Sequence, residues 1–231
     1  MISKKLPHEI KSEETKNRLL NAVGQMLSEY DFKYLTVRNI CEYAQVAYGS
    51  FYYHFANKEN LLFTYTQELF RQNLNENPCP DWIAPEDFIK RSLWYVSVLG
   101  FFCEALGRDL TGYIHKNCPH SIFEETLDGD IRSILYTARQ QGYLDMFRGD
   151  SIPLIIKDLE IICDGTLMWW GTRTKEETEP LHDTLVHLCF NMLFSFCSEK
   201  YRKADFPRHL ITELPEFPGS IVIRGVPETI K

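Results

Sequence analysis

Apolar side chains recur every three to four positions along most of this chain, which is the spacing of a helix with one buried face. The period predicts helices over 13–30, 86–106, 130–141, 152–173 and 178–202. No stretch alternates between apolar and polar positions for long enough to predict a sheet. The pattern therefore predicts an all-α protein.

The first helix is expected to start at Ser12, a residue type that caps helix N-termini. A second, short helix is expected after Thr36, another good N-cap. Its apolar positions repeat with the i, i+3, i+4, i+7 spacing of one helical face, at Val37, Ile40, Cys41 and Ala44.

A tight connection, "QVAYG", separates that helix from a third short helix, "SFYYHF". Asn57 is the predicted cap of a fourth helix, which opens with Leu61 and Leu62. The fourth helix is expected to end in "NENPCPDWIAPED", where three prolines interrupt the pattern. Shorter helical pieces are expected over 107–127.

Two short helices with a tight connection, braced by a longer helix on each side, form a helix-turn-helix. In that motif the second short helix enters the DNA major groove. Phe51 and Phe55 are four residues apart and are expected to face the bundle. The polar positions left toward the outside are Ser50, Tyr52, Tyr53 and His54.

The net charge argues against a nucleic-acid-binding protein that is basic over its whole surface, but it permits a local DNA-binding face. The net charge is −7, with ordinary contents of 44% hydrophobic and 25% charged residues. Residues 1–60 hold eight Lys/Arg and seven Asp/Glu, whereas the remainder holds seventeen and twenty-five. The first quarter is therefore less acidic than the rest of the chain taken together.

Membrane insertion and a secreted disulfide framework are not expected. The apolar stretch 92–107 is shorter than the ~20 residues that span a bilayer, and it contains Glu104. Residues 1–15 lack the apolar core of a signal peptide. The seven cysteines follow no repeating pattern and mostly lie in apolar helical positions. Reduced thiols and a cytoplasmic location are the expectation.

The segment "LTVRNICEYAQVAYGSFYYHFANKENLL", residues 35–62, resembles the DNA-binding signature of the TetR family of bacterial transcriptional regulators. The residues in register are Leu35, Thr36, Ile40, Ala44, Val46, Gly49, Tyr52, His54, Phe55, Lys58, Glu59 and Leu61. By motif the resemblance covers residues 12–62. It implies a DNA-binding domain over 1–60 and a larger helical effector-binding and dimerisation domain over 61–204. A non-helical tail over 205–231 contains the β-like "SIVIRGV".

The resemblance implies that Thr36, Tyr52, His54 and Lys58 contact DNA phosphates. Arg38 matches a position that reads a guanine edge, where its guanidinium can bond O6 and N7 together. The full set expected to contact DNA is Thr36, Arg38, Tyr48, Ser50, Tyr52, Tyr53, His54 and Lys58.

Two departures from the signature lie in the turn. Gln45 replaces the usual glycine, and Ala47 replaces the usual Ser or Thr cap of the third helix. The missing cap is worth ~1 kcal/mol, and its hydroxyl is also lost as a phosphate ligand. An alternative therefore stands beside DNA binding: a TetR-fold co-activator that has lost DNA binding and acts through a protein partner.

The resemblance also implies a homodimer and an effector pocket. The last two amphipathic helices are expected to pair with a second copy in a four-helix bundle, although their wide apolar stripes also fit packing within one chain. The predicted interface residues are Leu159, Cys163, Leu185, Leu188 and Met192. The predicted pocket for a small effector is lined by Trp94, Phe101, Phe102 and Trp169, with ordinary core packing as the alternative for each ring.

Together these features predict a repressor that binds a near-palindromic operator as a dimer and responds to a small molecule. An enzyme is the contrasting class, but the sequence has no phosphate-binding glycine loop, HExxH or GxSxG. The loop "HKNCPH" places His115, Cys118 and His120 together without a recognised metal spacing. No cofactor or metal is expected. The operator, the target genes and the identity of the effector are not indicated.

Overall fold

The computed structural model describes residues 7–118, 121–145, 151–174 and 180–204, and over these ranges the protein is all-α, as predicted. The helices, in chain order, are α1 Pro7–Glu29, α2 Val37–Ala44, α3 Tyr48–His54, α4 Lys58–Glu76, α5 Phe88–Leu106, α6 Arg108–Asn117, α7 Ile122–Thr126, α8 Asp128–Gln140, α9 Ile152–Gly171, α10 Leu181–Ser195 and α11 Glu199–Lys203. A 3₁₀ turn, Phe32–Tyr34, lies between α1 and α2. The predicted tail over 205–231 is outside the described residues.

The chain divides into two compact units, and the division lies within α4, after Leu69. The sequence placed the domain boundary after residue 60. The beginning of α4 belongs with the first unit. Its Glu68 carboxylate accepts a 2.8 Å bond from the Lys16 ammonium on α1. In the first unit α1 packs on α2 and α3.

The helix α1 buries the predicted apolar face, with Leu19, Leu20 and Val23 fully enclosed. Its start differs from the prediction. The helix begins at Pro7, so Ser12 lies inside it and is not the N-cap. The capping preference of serine is a local signal, and a helix can continue through it when the residues before it are also helical.

In the second unit α5 packs on α10, α6 on α9, and α9 on α10, while α8 contacts both α5 and α9. Most of α5 is buried, which agrees with a core helix rather than a membrane span. No helix within the described ranges has both the length and the apolar character needed to cross a bilayer. All seven cysteines are free thiols.

Glycines set two helix crossings in this unit. A Cβ on Gly171 would lie 2.4 Å from the Cα of Gly112, so α9 and α6 touch backbone to backbone there. A Cβ on Gly100 would lie 2.8 Å from the Cα of His182, where α5 meets α10. Any larger side chain at these crossings would have to separate the helices.

The predicted helix over 178–202 is broken into α10 and α11. The break is held by the segment after α8, because Asp145 N–H donates to the Phe196 carbonyl and Ser198 N–H donates to the Tyr143 carbonyl, at 2.8 and 2.9 Å. Ser198 then caps α11 by accepting from Tyr201 N–H. Tyr201 donates its hydroxyl to the buried Asp87 at 2.7 Å. These long-range bonds override the helical period.

Candidate nucleic-acid interface

The N-terminus of α2 is fixed by the predicted cap. The Thr36 hydroxyl accepts a 3.2 Å bond from Asn39 N–H, while the Asn39 side chain donates to the Tyr34 carbonyl at 2.9 Å. Ile40, Cys41 and Ala44 are buried as the spacing predicted. Thr36 and Arg38 stay at the surface, on the side of α2 that faces away from the core.

The turn after α2 contains a non-glycine residue with positive φ. Gln45 has φ 52° and ψ 44°, a left-handed conformation that L-residues other than glycine adopt at a cost. Arg18 on α1 donates from Nη2 to the carbonyls of Ala44 and Gln45, at 2.5 and 2.7 Å. The last carbonyls of a helix have no hydrogen-bond donor within the helix. At the end of α2, the Arg18 guanidinium supplies that donor.

The helix α3 begins at Tyr48, and its N-cap residue Ala47 makes no side-chain capping bond, as the sequence indicated. Phe51 and Phe55 are buried, and the predicted outward positions are confirmed for Tyr52 and Tyr53. Tyr53 is 78% exposed, the most exposed large apolar side chain among the described residues. Tyr48, at the start of α3, is also exposed. One face of this short helix is therefore core, and the other presents phenol hydroxyls.

Two of these phenols are paired. The hydroxyls of Tyr48 and Tyr52 are 3.2 Å apart, and their rings meet edge to face with centroids 5.3 Å apart. The hydrogen bond with Tyr48 raises the pKa of Tyr52, so its phenol stays protonated. One hydroxyl hydrogen of the pair lies between the two oxygens, and the other is left for a phosphate oxygen.

Arg38 and Glu42 form an exposed ion pair on α2, with Nε and Oε1 2.9 Å apart. The hydrogen bond and the charge of Glu42 raise the pKa of Arg38. The guanidinium has further N–H donors besides the one bonded to Glu42. To contact a base edge it must use those donors or break its bond with the Glu42 carboxylate. Such an exposed pair contributes little to stability.

His54 and Lys58 are partly covered. Burial, followed by the nearby charge of Lys16, lowers the pKa of His54, which favours the neutral imidazole. The Lys58 ammonium lies 5.3 Å from the centre of the Phe32 ring, in a cation–π contact. Asn57 caps α4 as predicted, accepting from Asn60 N–H at 2.7 Å.

A cleft of about 320 Å³ lies between α1 and α3. It is lined by Lys11, Ser12 and Thr15 from α1 and by Ser50, Tyr53 and His54 from α3. Of the three α1 residues, Lys11 and Thr15 were not predicted as site residues, and Ser12 was predicted only as a helix cap. Their spacing places them on one helical face, but only the packing of α1 against α3 reveals what that face adjoins. Hydroxyls and an ammonium suit an anionic group such as phosphate.

The four predicted pocket residues occupy different settings in the second unit. Trp94 is buried and donates from Nε1 to the Asn77 carbonyl at 3.1 Å. Phe102 is buried against Phe70, with ring centroids 5.0 Å apart. Their role as pocket residues stays a prediction.

The other two rings are more open. Phe101 stacks on the His182 imidazole, with ring centroids 4.0 Å apart. Trp169 is exposed, with the Arg173 guanidinium 5.6 Å from its ring centre.

The predicted dimer residues divide into two groups. Leu159, Cys163 and Leu185 are fully buried inside the chain, so they are core residues and cannot form a surface for a second copy. The sequence could not separate these positions because both α9 and α10 are apolar on more than one face. Leu188 is exposed and Met192 is half-buried. Other exposed apolar residues on the same two helices are Leu154, Ile161, Met168, Trp169 and Phe194.

The family model described as "Bacterial regulatory proteins, tetR family" matches residues 19–65, from α1 through the beginning of α4. Residues 19–65 form a DNA-binding domain of the tetR family. Members of that family are DNA-binding transcriptional regulators and are not enzymes. No curated protein sequence matches the chain closely enough to count as a relative.

Solved structures share the fold of this chain at low identity. FadR from Thermus thermophilus, a TetR family transcriptional repressor in complex with lauroyl-CoA, is 20% identical with a TM-score of 0.60, covering 78% of this chain and 93% of that one. RolR in complex with resorcinol is 14% identical with a TM-score of 0.58, covering 80% and 90%. The fatty acid degradation regulator FadR from Bacillus halodurans is 18% identical with a TM-score of 0.50, covering 83% and 96%.

Proposed function

We propose that this tetR regulator is a ligand-responsive repressor, which binds a near-palindromic operator as a homodimer and loses affinity for it when a small molecule binds the second unit. The exposed polar face of α3 carries the proposal. It places the Tyr48, Tyr52 and Tyr53 hydroxyls on the helix that enters the major groove in this motif.

The proposed interface extends from that face to both neighbouring helices. Thr36 and Arg38 contribute from α2, with Arg38 exchanging Glu42 for a base edge or phosphate. The cleft between α1 and α3 receives a backbone phosphate, with Lys11 as its cation and the Ser50 and Tyr53 hydroxyls as donors. His54 and Lys58 complete the phosphate contacts.

The exposed apolar residues of α9 and α10 support the homodimer. Leu154, Ile161 and Met168 are spaced by seven residues, so they lie along one face of α9 and are all exposed. Leu188 and Phe194 add exposed apolar surface on α10. An exposed apolar stripe is unfavourable in water, so we expect another surface to cover it. A second copy of the chain would cover it and would also supply the second helix-turn-helix that reads the other half-site.

The neighbouring structures support response to a small molecule. RolR with resorcinol and the Thermus thermophilus FadR with lauroyl-CoA are similar folds solved with a ligand. In this chain the ligand acts by binding the DNA-free conformation more tightly than the DNA-bound one, because only a difference in affinity shifts an equilibrium.

Selection of genomic fragments by the purified full-length protein tests DNA binding. We expect one near-palindromic site to be enriched, with an affinity that falls as salt rises. Tyr52→Phe removes one hydroxyl from the exposed pair. We expect DNA binding to weaken about tenfold, because a hydrogen bond to a charged phosphate is lost. Tyr136→Phe is the matched control, because Tyr136 is an exposed tyrosine on α8.

No enrichment at low salt would overturn DNA binding and favour the co-activator, whose partner is a protein. Transcription from a reporter that carries the selected site then separates repression from activation. Light scattering of Ile161→Arg, with Ile10→Arg as the control at an exposed α1 isoleucine, tests the dimer. A wild-type monomer at micromolar concentration would contradict it.

A further inference from the structure

Another cleft in the first unit is lined mainly by aromatic side chains. It has a volume of about 290 Å³ and lies where the end of α1, the 3₁₀ turn and α2 meet. The residues that line this tyrosine cleft are Met26, Tyr30, Tyr34, Asn39, Glu42 and Tyr43. Small-molecule sites in proteins occupy ~300–1,000 Å³, so the tyrosine cleft suits a small ligand.

Three tyrosine rings border the cleft without being buried. Tyr30 and Tyr34 are 49% and 50% exposed, and their rings meet edge to face with centroids 6.3 Å apart. Tyr43 is half-buried, and its hydroxyl donates to a Glu29 carboxylate oxygen at 3.1 Å, which fixes the direction of the ring. Aromatic rings attract cations through the negative charge density of their faces.

The base of the cleft is apolar. Met26 belongs to the buried core of the first unit and still lines the cleft, so its side chain lies beneath the rings. A thioether is polarisable and adapts its shape to the group that it contacts. Apolar groups on a ligand would therefore be covered here, while its charge stays beside the rings.

The charges around the cleft favour a cation. Glu42 is paired with Arg38 at 2.9 Å. Lys33, whose ammonium lies 5.2 Å from the centre of the Tyr34 ring, is paired with Asp31 at 2.9 Å. These two pairs cancel in charge. Glu29, which accepts from Tyr43, leaves one negative charge beside the rings and attracts a positive ligand.

A methylated ammonium suits this cleft better than a primary ammonium. A primary ammonium is strongly hydrated and needs three acceptors to replace its water, whereas ring faces and a thioether are weak acceptors. Methyl groups on the nitrogen remove those donors and spread the charge over an apolar surface. That surface can contact the tyrosine rings and Met26 without leaving a donor unsatisfied.

We propose that the tyrosine cleft binds the methylated ammonium group of a small molecule, with Tyr30, Tyr34 and Tyr43 around the cation and Met26 beneath its methyl groups. The site lies in the first unit, so it is separate from the response to a small molecule proposed for the second unit. Two simpler causes of binding must be distinguished from it: burial of any apolar group, and attraction of any cation to the carboxylates.

Tetramethylammonium and tert-butanol distinguish charge from apolar burial, because they are similar in size and shape but only the first is charged. Full-length protein labelled with ¹³C in its methionine methyl groups reports on the cleft through Met26, and the spectrum of Met26→Leu assigns that signal. We expect a saturable shift with tetramethylammonium, which should bind about tenfold tighter than tert-butanol. Potassium chloride at the same concentrations controls for ionic strength and should give no saturable shift.

The rings are tested by Tyr30→Leu, which keeps apolar bulk and removes the ring. We expect the affinity for tetramethylammonium to fall about fivefold. Tyr136→Leu, at an exposed tyrosine of α8, is the matched control and should leave the affinity unchanged. Tyr34→Leu repeats the measurement at the neighbouring ring, so the test does not depend on the folding of one variant.

The charge is tested by Glu29→Gln, which keeps the shape of the side chain and an acceptor for Tyr43. We expect the affinity to fall about threefold, a modest loss because the carboxylate is exposed and screened by solvent. Glu199→Gln, at an exposed glutamate of α11, is the control and should have no effect.

Three outcomes overturn the proposal. Equal affinity for tetramethylammonium and tert-butanol would mean that apolar burial alone causes binding. Unchanged affinity in both Tyr30→Leu and Tyr34→Leu would mean that the carboxylates alone attract the cation. No saturable shift of Met26 with either probe would mean that the tyrosines are ordinary solvated surface.

None of these measurements uses DNA, so the site and the proposed repressor can fail separately. Protein that selects an operator but gives no response to tetramethylammonium counts against the cleft alone. Protein that binds tetramethylammonium through its tyrosines and selects no DNA counts against the repressor alone.

Discussion

Two places in this molecule have a backbone geometry that favours glycine: the turn between α2 and α3, and the crossing of α6 with α9. Only the crossing contains glycine. Gln45 stands in the turn with φ 52°, and Gly112 meets Gly171 at the crossing. A left-handed residue is strained by its own Cβ, and the neighbouring carbonyls can still find a partner, here Arg18. Two touching backbones leave no space for any Cβ. The first unit therefore tolerates a departure that the second does not.

The largest expected effect is at the helix crossing. Gly171→Ala would place a Cβ 2.4 Å from the Cα of Gly112, so α9 must move from α6 and the free energy of unfolding should fall by about 3 kcal/mol. Gly165→Ala, on the same helix with open space around it, should gain about 0.5 kcal/mol because glycine weakens a helix. Denaturant unfolding measures both. Equal values would show that the crossing is loose.

The next effect is the loss of the guanidinium that compensates the turn. Arg18→Ala leaves the Ala44 and Gln45 carbonyls without their donor, and we expect the first unit to lose about 2 kcal/mol. Hydrogen exchange of α2 amides localises the loss. Lys33→Ala, which breaks an exposed pair with Asp31 and an exposed cation–π contact with Tyr34, is the control and should change little. An unaltered α2 would mean that water replaces Arg18 at no cost.

Restoring the missing cap should strengthen the first unit by about 1 kcal/mol. Ala47 already has the extended backbone of an N-cap, so the hydroxyl of Ala47→Ser can accept from a free N–H in the first turn of α3. The same hydroxyl adds a phosphate donor, so operator affinity should rise as well. Ala47→Val supplies bulk without an acceptor, and a gain of equal size there would refute the capping explanation.

The smallest expected effect is at the turn itself. Gln45→Gly removes the left-handed strain of ~1 kcal/mol. Glycine also gives the unfolded chain more conformational freedom, which cancels part of this gain in stability. We expect a net stabilisation of about 0.5 kcal/mol by thermal unfolding, with Gln45→Asn between the two. Destabilisation by Gln45→Gly would show that the glutamine side chain stabilises the turn more than its backbone strains it.

The sequence predicted the first unit more accurately than the second because local signals determine it. Thr36, Asn57 and the i, i+4 pair Phe51 and Phe55 act within one turn of helix, and each was placed correctly. In the second unit the decisive contacts are distant in sequence. The break before Ser198 depends on Tyr143, which no helical period can indicate.

The sequence also could not predict which apolar residues of α9 and α10 are buried and which are exposed. Leu185 and Leu188 are three residues apart on α10, yet one is core and the other is exposed, because the position of α5 and α9 decides between them. The proximity of His115 and Asp164 could not be predicted for the same reason. The sequence placed His115 beside Cys118 and His120, whereas its neighbour in space is Asp164.

The ion pair between Arg38 and Glu42 also bears on how fast the regulator finds its operator. In the proposed interface, the carboxylate 2.9 Å from the Arg38 guanidinium repels every phosphate that it passes, and the net charge of −7 does the same at longer range. Where the DNA offers Arg38 no guanine edge in place of Glu42, we expect residence to be short. Fewer copies would then be held away from the operator, and each copy would sample more sites in a given time.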